Sequence, residues 1–296
     1  MKLTQKALYD LAKKHKVNGL LSAPEANIKT AKNGKVDNIL TAPLHLLPSD
    51  LSGHEVCFWK TPLCEKGCLH TSGNPAYLDA KTEARKNRTK MLFANKDLFK
   101  QILILEIVKH SIKALDSGMS SGVRPNATSD IPWENEPIHI SVPFADFLNS
   151  IISKSGKVEI MEALAIFPGS YKNIFEVFPI VKFYDYTAGV RRLFKLADQS
   201  IPNYHLTFSG KENNSSDCLK ALALGFNVAM PFAVSNRKKG PLPTSHKIEG
   251  QSFPVLDGDL SDYRPNDSTG HIVGLRAKGV LENNPEYADW VATPVY

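Results

Sequence analysis

Ile180-Val181-Lys182-Phe183-Tyr184-Asp185-Tyr186-Thr187, the helix-spaced Val190–Ala197, Tyr204-His205-Leu206-Thr207-Phe208-Ser209 and the helix-spaced Ser216–Leu224 decide the fold. Short apolar runs rich in β-branched and aromatic residues read as strands, and the amphipathic stretches between them read as crossover helices. Strand and helix in alternation predict an α/β protein with a largely parallel sheet. Asn227–Phe232, Pro254–Asp257 and His271–Lys278 continue the series, with little room for a helix between the last two. The first expectation is a complete or partial (β/α) barrel; an open doubly wound sheet is the second.

Working outward, Leu98–Leu115 reads as a long buried helix, and Val123–Asp130 as a short apolar start ending in polar residues. Residues 142–164 read as helical. Leu3, Ala7, Leu8, Leu11 and Ala12 fall at helical spacing, with Lys13, Lys14 and Lys16 at the end that favours cations. Residues 17–56 are rich in Asn, Pro and Gly, with one strand-like run, Asn38–Thr41. The expected division is therefore an N-terminal helix and irregular extension over 1–56, then an α/β barrel-like domain over 57–296 with a cysteine loop at 57–70.

The chain has 296 residues, and Lys+Arg 36 against Asp+Glu 30 gives a net charge of +6. That excess permits an anionic partner such as a nucleotide or nucleic acid without demanding one. No stretch approaches the roughly 18 consecutive apolar residues of a membrane span. The four cysteines, Cys57, Cys64, Cys68 and Cys218, are too few for a secreted disulfide scaffold.

Three of them form the sharpest local signal, Cys57-x6-Cys64-x3-Cys68. A short loop brings its thiolates together at little entropic cost. Three thiolates suit a 4Fe-4S cluster with one open iron, while a fourth ligand from His54, His70 or Cys218 would complete a zinc site. The bland alternative is that the three are small buried residues. Cys218 sits among Leu219, Leu222 and Ala223 and reads as core. Downstream, Lys81, Arg85 and Arg88 share a helical face and form a candidate site for phosphate or nucleic acid. A second basic loop runs from Asn236 to Gly240.

The strand ends carry capable groups, and in a parallel barrel those ends converge. Asp130, Asp185 and His205 are the candidate catalytic residues, the aspartates as carboxylates for acid–base or metal chemistry and the histidine as a general base. Asn126, Ser129, Thr187, Thr207, Ser209 and Lys278 are the candidate cofactor or substrate contacts.

Cys68-Leu69-His70-Thr71-Ser72-Gly73, Ala84–Thr89, Arg124–Glu134, Phe183–Thr187, Asn203–Ser209, Asn227-Val228-Ala229, Asp257-Gly258-Asp259 and Ile272–Gly279 together resemble the phage family known as gene product 88. The resemblance spans roughly residues 27 to 280. It implies a viral protein made in the host cytoplasm, and no settled activity. The chain departs from the family pattern at Asn126-Ala127, where Asn-Gly is expected, and at Met230-Pro231.

Three functions follow as expectations. The first is an iron–sulfur enzyme similar in layout to radical S-adenosylmethionine enzymes, acting on a nucleotide or nucleic-acid-related substrate, with Cys57, Cys64 and Cys68 as ligands and S-adenosylmethionine as a second cofactor. Its cysteine spacing differs from the common Cys-x3-Cys-x2-Cys. The second is a nucleic-acid-binding protein with a structural zinc or cysteine loop, its bases stacked on aromatics such as Trp59, Tyr77 and Phe93. The third is a divalent-metal-dependent hydrolase or nuclease using Asp130, Glu134, Asp185, Asp257, Asp259 and Asp262.

Overall fold

The computed structural model describes residues 3–26, 30, 33–34, 36–68, 78–199, 201–234 and 240–294. The chain divides into two compact units. One comprises Met1–Val56 with Asn74–Phe183, the other Cys57–Gly73 with Tyr184–Tyr296. The N-terminal segment groups with residues 74–183, and the cysteine segment groups with the C-terminal part of the chain.

In the first unit, α1 (Gln5–Lys14) starts at Thr4, whose side chain accepts from the Ala7 amide, and ends in Lys13 and Lys14. Strand β1 (Ile39–Pro43) is followed by α2 (Ser49–Ser52). In the second unit, α3 (Pro62–Lys66) lies within the cysteine segment. The first unit continues with α4 (Leu78–Ala94) and α5 (Lys96–Asp116), the latter capped by Asn95. Helix α5 buries Leu98, Ile102, Leu103, Ile104, Leu105, Ile107 and Val108, which occupy every face, so it runs through the interior of its unit rather than along the surface.

Strand β2 (Ser120–Arg124) pairs in parallel with β1, from Ile39 opposite Ser120 to Pro43 opposite Arg124. Gly122 is needed there, because a Cβ would sit 2.9 Å from both Ile39 Cδ1 and Thr41 Oγ1. The buried His110 of α5 places Nε2 2.9 Å from the Leu40 carbonyl and 3.0 Å from that of Gly122, tying helix to strands. Strands β3 (Ile138–Ile140) and β4 (Gly169–Tyr171) make a separate antiparallel pair, with α6 (Val142–Ile152) and α7 (Val158–Leu164) between them. Helix α8 (Ile174–Val177) leads into β5 (Lys182–Thr187), whose first residues pair with β2.

The second unit holds the remainder of β5, α9 (Val190–Gln199), β6 (Tyr204–Ser209), α10 (Ser215–Ala223), β7 (Val228–Phe232), β8 (Ser245–Ile248), β9 (Gln251–Asp257) and β10 (Ile272–Arg276). Strand β10 lies between β7 and β9 and is parallel to both. Strand β8 is antiparallel to β9 across a tight turn in which Glu249 and Gly250 both have positive φ, 48° and 86°.

The eight strands order β1-β2-β5-β6-β7-β10-β9-β8. The fold is α/β with a mainly parallel sheet, as expected. The sheet does not close, so the complete barrel is corrected: the polar β8–β9 hairpin ends one side with no helix to carry the chain onward. Nor does the order, which rises from β1 to β7 and turns back only at its far end in β10-β9-β8, show the central reversal of a doubly wound sheet. Among the described residues, no helix is long and apolar enough to cross a membrane.

Candidate functional site

In the first unit the chain leaves β1 at Pro43 and runs beside the end of β2. The Leu44 amide donates to the Arg124 carbonyl at 2.9 Å, Ala127 N to Leu44 O at 3.1 Å, and Thr128 Oγ1 to Leu46 O at 2.7 Å. From the other side, Thr89 Oγ1 of α4 accepts from Leu47 N at 2.9 Å and donates to Arg85 O at 3.0 Å. His45 is therefore held between α4 and the end of β2. Burial, then the charges of Arg85, Arg124, Arg88 and Lys81, push its imidazole down to about 3, leaving it neutral at pH 7. Its Nδ1 has no hydrogen-bond partner.

Helical spacing placed Lys81, Arg85 and Arg88 on one face but did not say where that face points. Lys81 is exposed, whereas Arg85 is only 9% exposed. Arg88 is largely buried and donates from Nε to Gly19 O at 2.8 Å. Arg85 and Arg88 are thus turned toward the interior while Lys81 stays exposed, and strand β2 adds Arg124. Sequence reasoning missed His45 and did not select Arg124 as a site residue. The first sat in a stretch read as irregular, and the second appeared only inside a family motif. Cations gathered at the C-terminal ends of parallel strands can hold an oxyanion such as phosphate.

Asn126, Ser129 and Asp130 lie in the loop that follows β2. Asn126 Oδ1 accepts from Ser129 Oγ at 2.8 Å and Ile131 N at 2.9 Å, while its Nδ2 donates to Ile131 O at 2.9 Å. Both ends of this amide shape the loop. Asp130 is buried, and its amide donates to Val56 O at 2.7 Å.

In the second unit the cysteine segment is firmly seated. Glu212 accepts from Thr61 Oγ1 at 2.8 Å and Leu63 N at 3.1 Å, at the start of α3. Gly67 packs so closely on Tyr287 and Trp290 that a Cβ would lie 3.1 Å from each ring. Trp290 Nε1 donates to Gly210 O at 2.8 Å, and Lys211 lies over the Trp290 ring and donates to Cys64 Sγ.

None of the four cysteines forms a disulfide. Cys57, Cys64 and Cys68 are partly exposed, and Cys218 is buried. The Cys218 thiol is pushed up to about 12, first by burial, and donates to Asn214 Oδ1, in keeping with a core residue. Among the described residues, no group of three or more His, Cys, Asp or Glu is arranged to hold a metal ion. His54 stacks on Phe93 in the first unit, with ring centroids 4.5 Å apart. His70, Tyr77 and 236–239 of the second basic loop lie outside the described residues.

The remaining candidates are distributed within the second unit. Asp185 is fully buried and accepts from Tyr204 OH at 3.2 Å, while Arg192 donates to that same hydroxyl at 2.9 Å. Thr187 Oγ1 accepts from Gly189 N at 3.0 Å, and Ser209 O accepts from Asn214 Nδ2 at 2.9 Å. Asp257 receives both terminal nitrogens of Arg276, at 2.7 and 2.9 Å, which holds its carboxyl below the usual range. Asp259 pairs with Arg276 and with Lys278. These two carboxylates are committed to cations rather than displayed for a metal. His205 is largely buried, its Nε2 has no partner, and burial followed by the Arg264 charge lowers it to about 4.

The gene product 88 family model matches residues 18–288. No curated protein and no solved structure matches the chain. None of these comparisons supports the likeness to radical S-adenosylmethionine enzymes.

Proposed function

We propose that this chain, which belongs to the gene product 88 family, binds a phosphate-bearing ligand, a nucleotide or nucleic acid, through the cations around His45. One observation carries the reading. The charges of Lys81, Arg85 and Arg88 of α4 and of Arg124 of β2 all bear on one buried histidine, His45, which follows β1 where two parallel strands end. Arg85 and Arg88 are preorganised by burial, so little side-chain entropy remains to be lost on binding. Lys81 and the strand-end Arg124 supply the more accessible charge. A neutral His45 donates or accepts a hydrogen bond without adding to the repulsion among the cations.

Fluorescence anisotropy with a labelled single-stranded oligonucleotide, competed by a nucleoside triphosphate, tests the reading. Lys81→Ala and Arg124→Gln each weaken binding, and by the same factor on oligonucleotides of different sequence, because phosphate contacts carry no base information. Unchanged affinity in both variants would overturn it.

The cysteine segment favours a second reading, in which Cys57, Cys64 and Cys68 hold an iron–sulfur cluster or zinc and the protein is an enzyme. It is supported by three partly exposed thiols within one anchored segment. As described, their donors are not gathered, and Cys64 would have to leave Lys211. Iron, sulfide and zinc contents of anaerobically purified protein decide it. Metal that is present in wild type and lost in Cys64→Ala supports the reading, and metal-free wild-type protein removes it.

A further inference from the structure

Within the second unit, the loop that leaves β6 meets the cysteine segment through two consecutive residues, Lys211 and Glu212. Gly210 lets the chain turn there, since a Cβ would lie 2.9 Å from Met230 Cγ and 3.2 Å from Ala229 O. Its amide donates to that same carbonyl at 2.8 Å. Lys211 N then donates to Asn214 Oδ1 at 2.7 Å, while Asn214 Nδ2 returns to Ser209 O at 2.9 Å. Glu212 accepts from Thr61 Oγ1 and Leu63 N, and Thr61 Oγ1 in turn accepts from Cys64 N at 3.3 Å. The loop that grips α3 is thus the one that carries the lysine.

Lys211 Nζ donates to Cys64 Sγ and lies over the Trp290 ring, 5.4 Å from its centroid. Trp290 is itself fixed, by its Nε1–H on Gly210 O and by Gly67 packed against its ring. Amine and thiol are therefore held in contact from both sides, by the cap of α3 and by the indole. Both residues are partly exposed, so the pair stands open to small solutes. Cys218, by contrast, is buried and its thiol is bonded to Asn214 Oδ1.

We propose that Cys64 and Lys211 are an oxidative modification site, at which hydrogen peroxide joins Cys64 Sγ to Lys211 Nζ through a covalent S–N bond. The sulfur first attacks a peroxide oxygen. An S–O bond forms, the O–O bond breaks, and the thiol proton goes with the departing hydroxide as water, leaving a sulfenic acid. Lys211, having given one ammonium proton to solvent, then attacks that sulfur. The S–N bond forms, the S–O bond breaks, and the hydroxide leaves as water with a second proton from the amine. One peroxide is reduced by two electrons and the sulfur supplies both. Sulfenic acids condense with nitrogen as well as with thiols, and an amine already in contact needs no bimolecular encounter. The bond ties α3 to the loop after β6 and removes Cys64 from the donors open to a metal. A thiol reverses it by attack on the sulfur.

Hydrogen peroxide treatment of the full-length protein, followed by intact mass measurement and peptide mapping, tests the site. Wild type should lose the mass of two hydrogens and yield a linked pair of peptides joining Cys64 to Lys211, which dithiothreitol separates. Lys211→Met should form no such pair, and its Cys64 should carry added oxygen instead. Lys211→Arg keeps the cation and the donor but does not condense, so it too should form no pair, which keeps the test valid if Lys211→Met does not fold. A map joining Cys64 to Cys57 or Cys68 would overturn the site, as would wild type whose Cys64 gains oxygen, or stays a thiol, without the lysine link. A Cys64–Lys211 pair heavier by one oxygen would overturn the direct S–N bond.

Discussion

His45 and His205 are both kept neutral by burial and neighbouring cations, at about 3 and about 4 against 6.5 for a free histidine. In the unfolded chain each takes up a proton as pH falls through 6.5, while the folded protein does not until far lower. Their contribution is therefore present in full above pH 6.5 and is lost as pH falls from there toward 4. Urea unfolding at pH 7 and pH 5 should show a lower midpoint at pH 5. His205→Gln should lose less over that interval, and equal losses in the two proteins would contradict the burial argument. The sequence offered His205 as a candidate general base because its side chain is an imidazole. It gave no hint of the Arg264 charge that suppresses it, because residues 205 and 264 meet only through the fold.

Elements set which side chains are displayed. Helix α3 and the thiols around it are held by Trp59, which lies against Gly189 so closely that an added Cβ would fall 2.7 Å from its ring, with Arg192 on the same ring at 5.9 Å. Gly189→Ala should displace Trp59 and loosen the segment. Cys57 and Cys64 should then react faster with a thiol reagent, whereas unchanged rates would show that the segment is held elsewhere. The elements themselves were legible where strands are apolar and bounded by turns, and β6 was placed from Tyr204 to Ser209 as observed. Helix α5 was legible because Ile102–Leu105, Ile107 and Val108 form a dense apolar stretch. Strands β3 and β4 have only three residues each, and β8 reads Ser-His-Lys-Ile, so none carries a hydrophobic pattern long enough to stand out. Periodicity grouped Lys81, Arg85 and Arg88 correctly on α4, but the direction of that face depends on what packs against the helix.

At the scale of the whole molecule, strand and helix alternation was enough for α/β with a mainly parallel sheet. Whether the sheet closes depends on how its last strands pair, and the antiparallel β8–β9 hairpin is a tertiary outcome that alternation does not encode. The family was legible from motifs in order along the chain, and its model covers residues 18–288. The net charge of +6 is too small to identify an anion-binding protein by itself. What distinguishes an anion site here is where the cations collect. The most direct test is oligonucleotide binding by wild type and Lys81→Ala across a range of salt concentrations. Wild-type affinity should fall with salt, and the variant's log–log slope should be shallower by about 0.7 for one lost single-strand phosphate contact. Equal slopes, or wild-type affinity independent of salt, would contradict phosphate binding around His45.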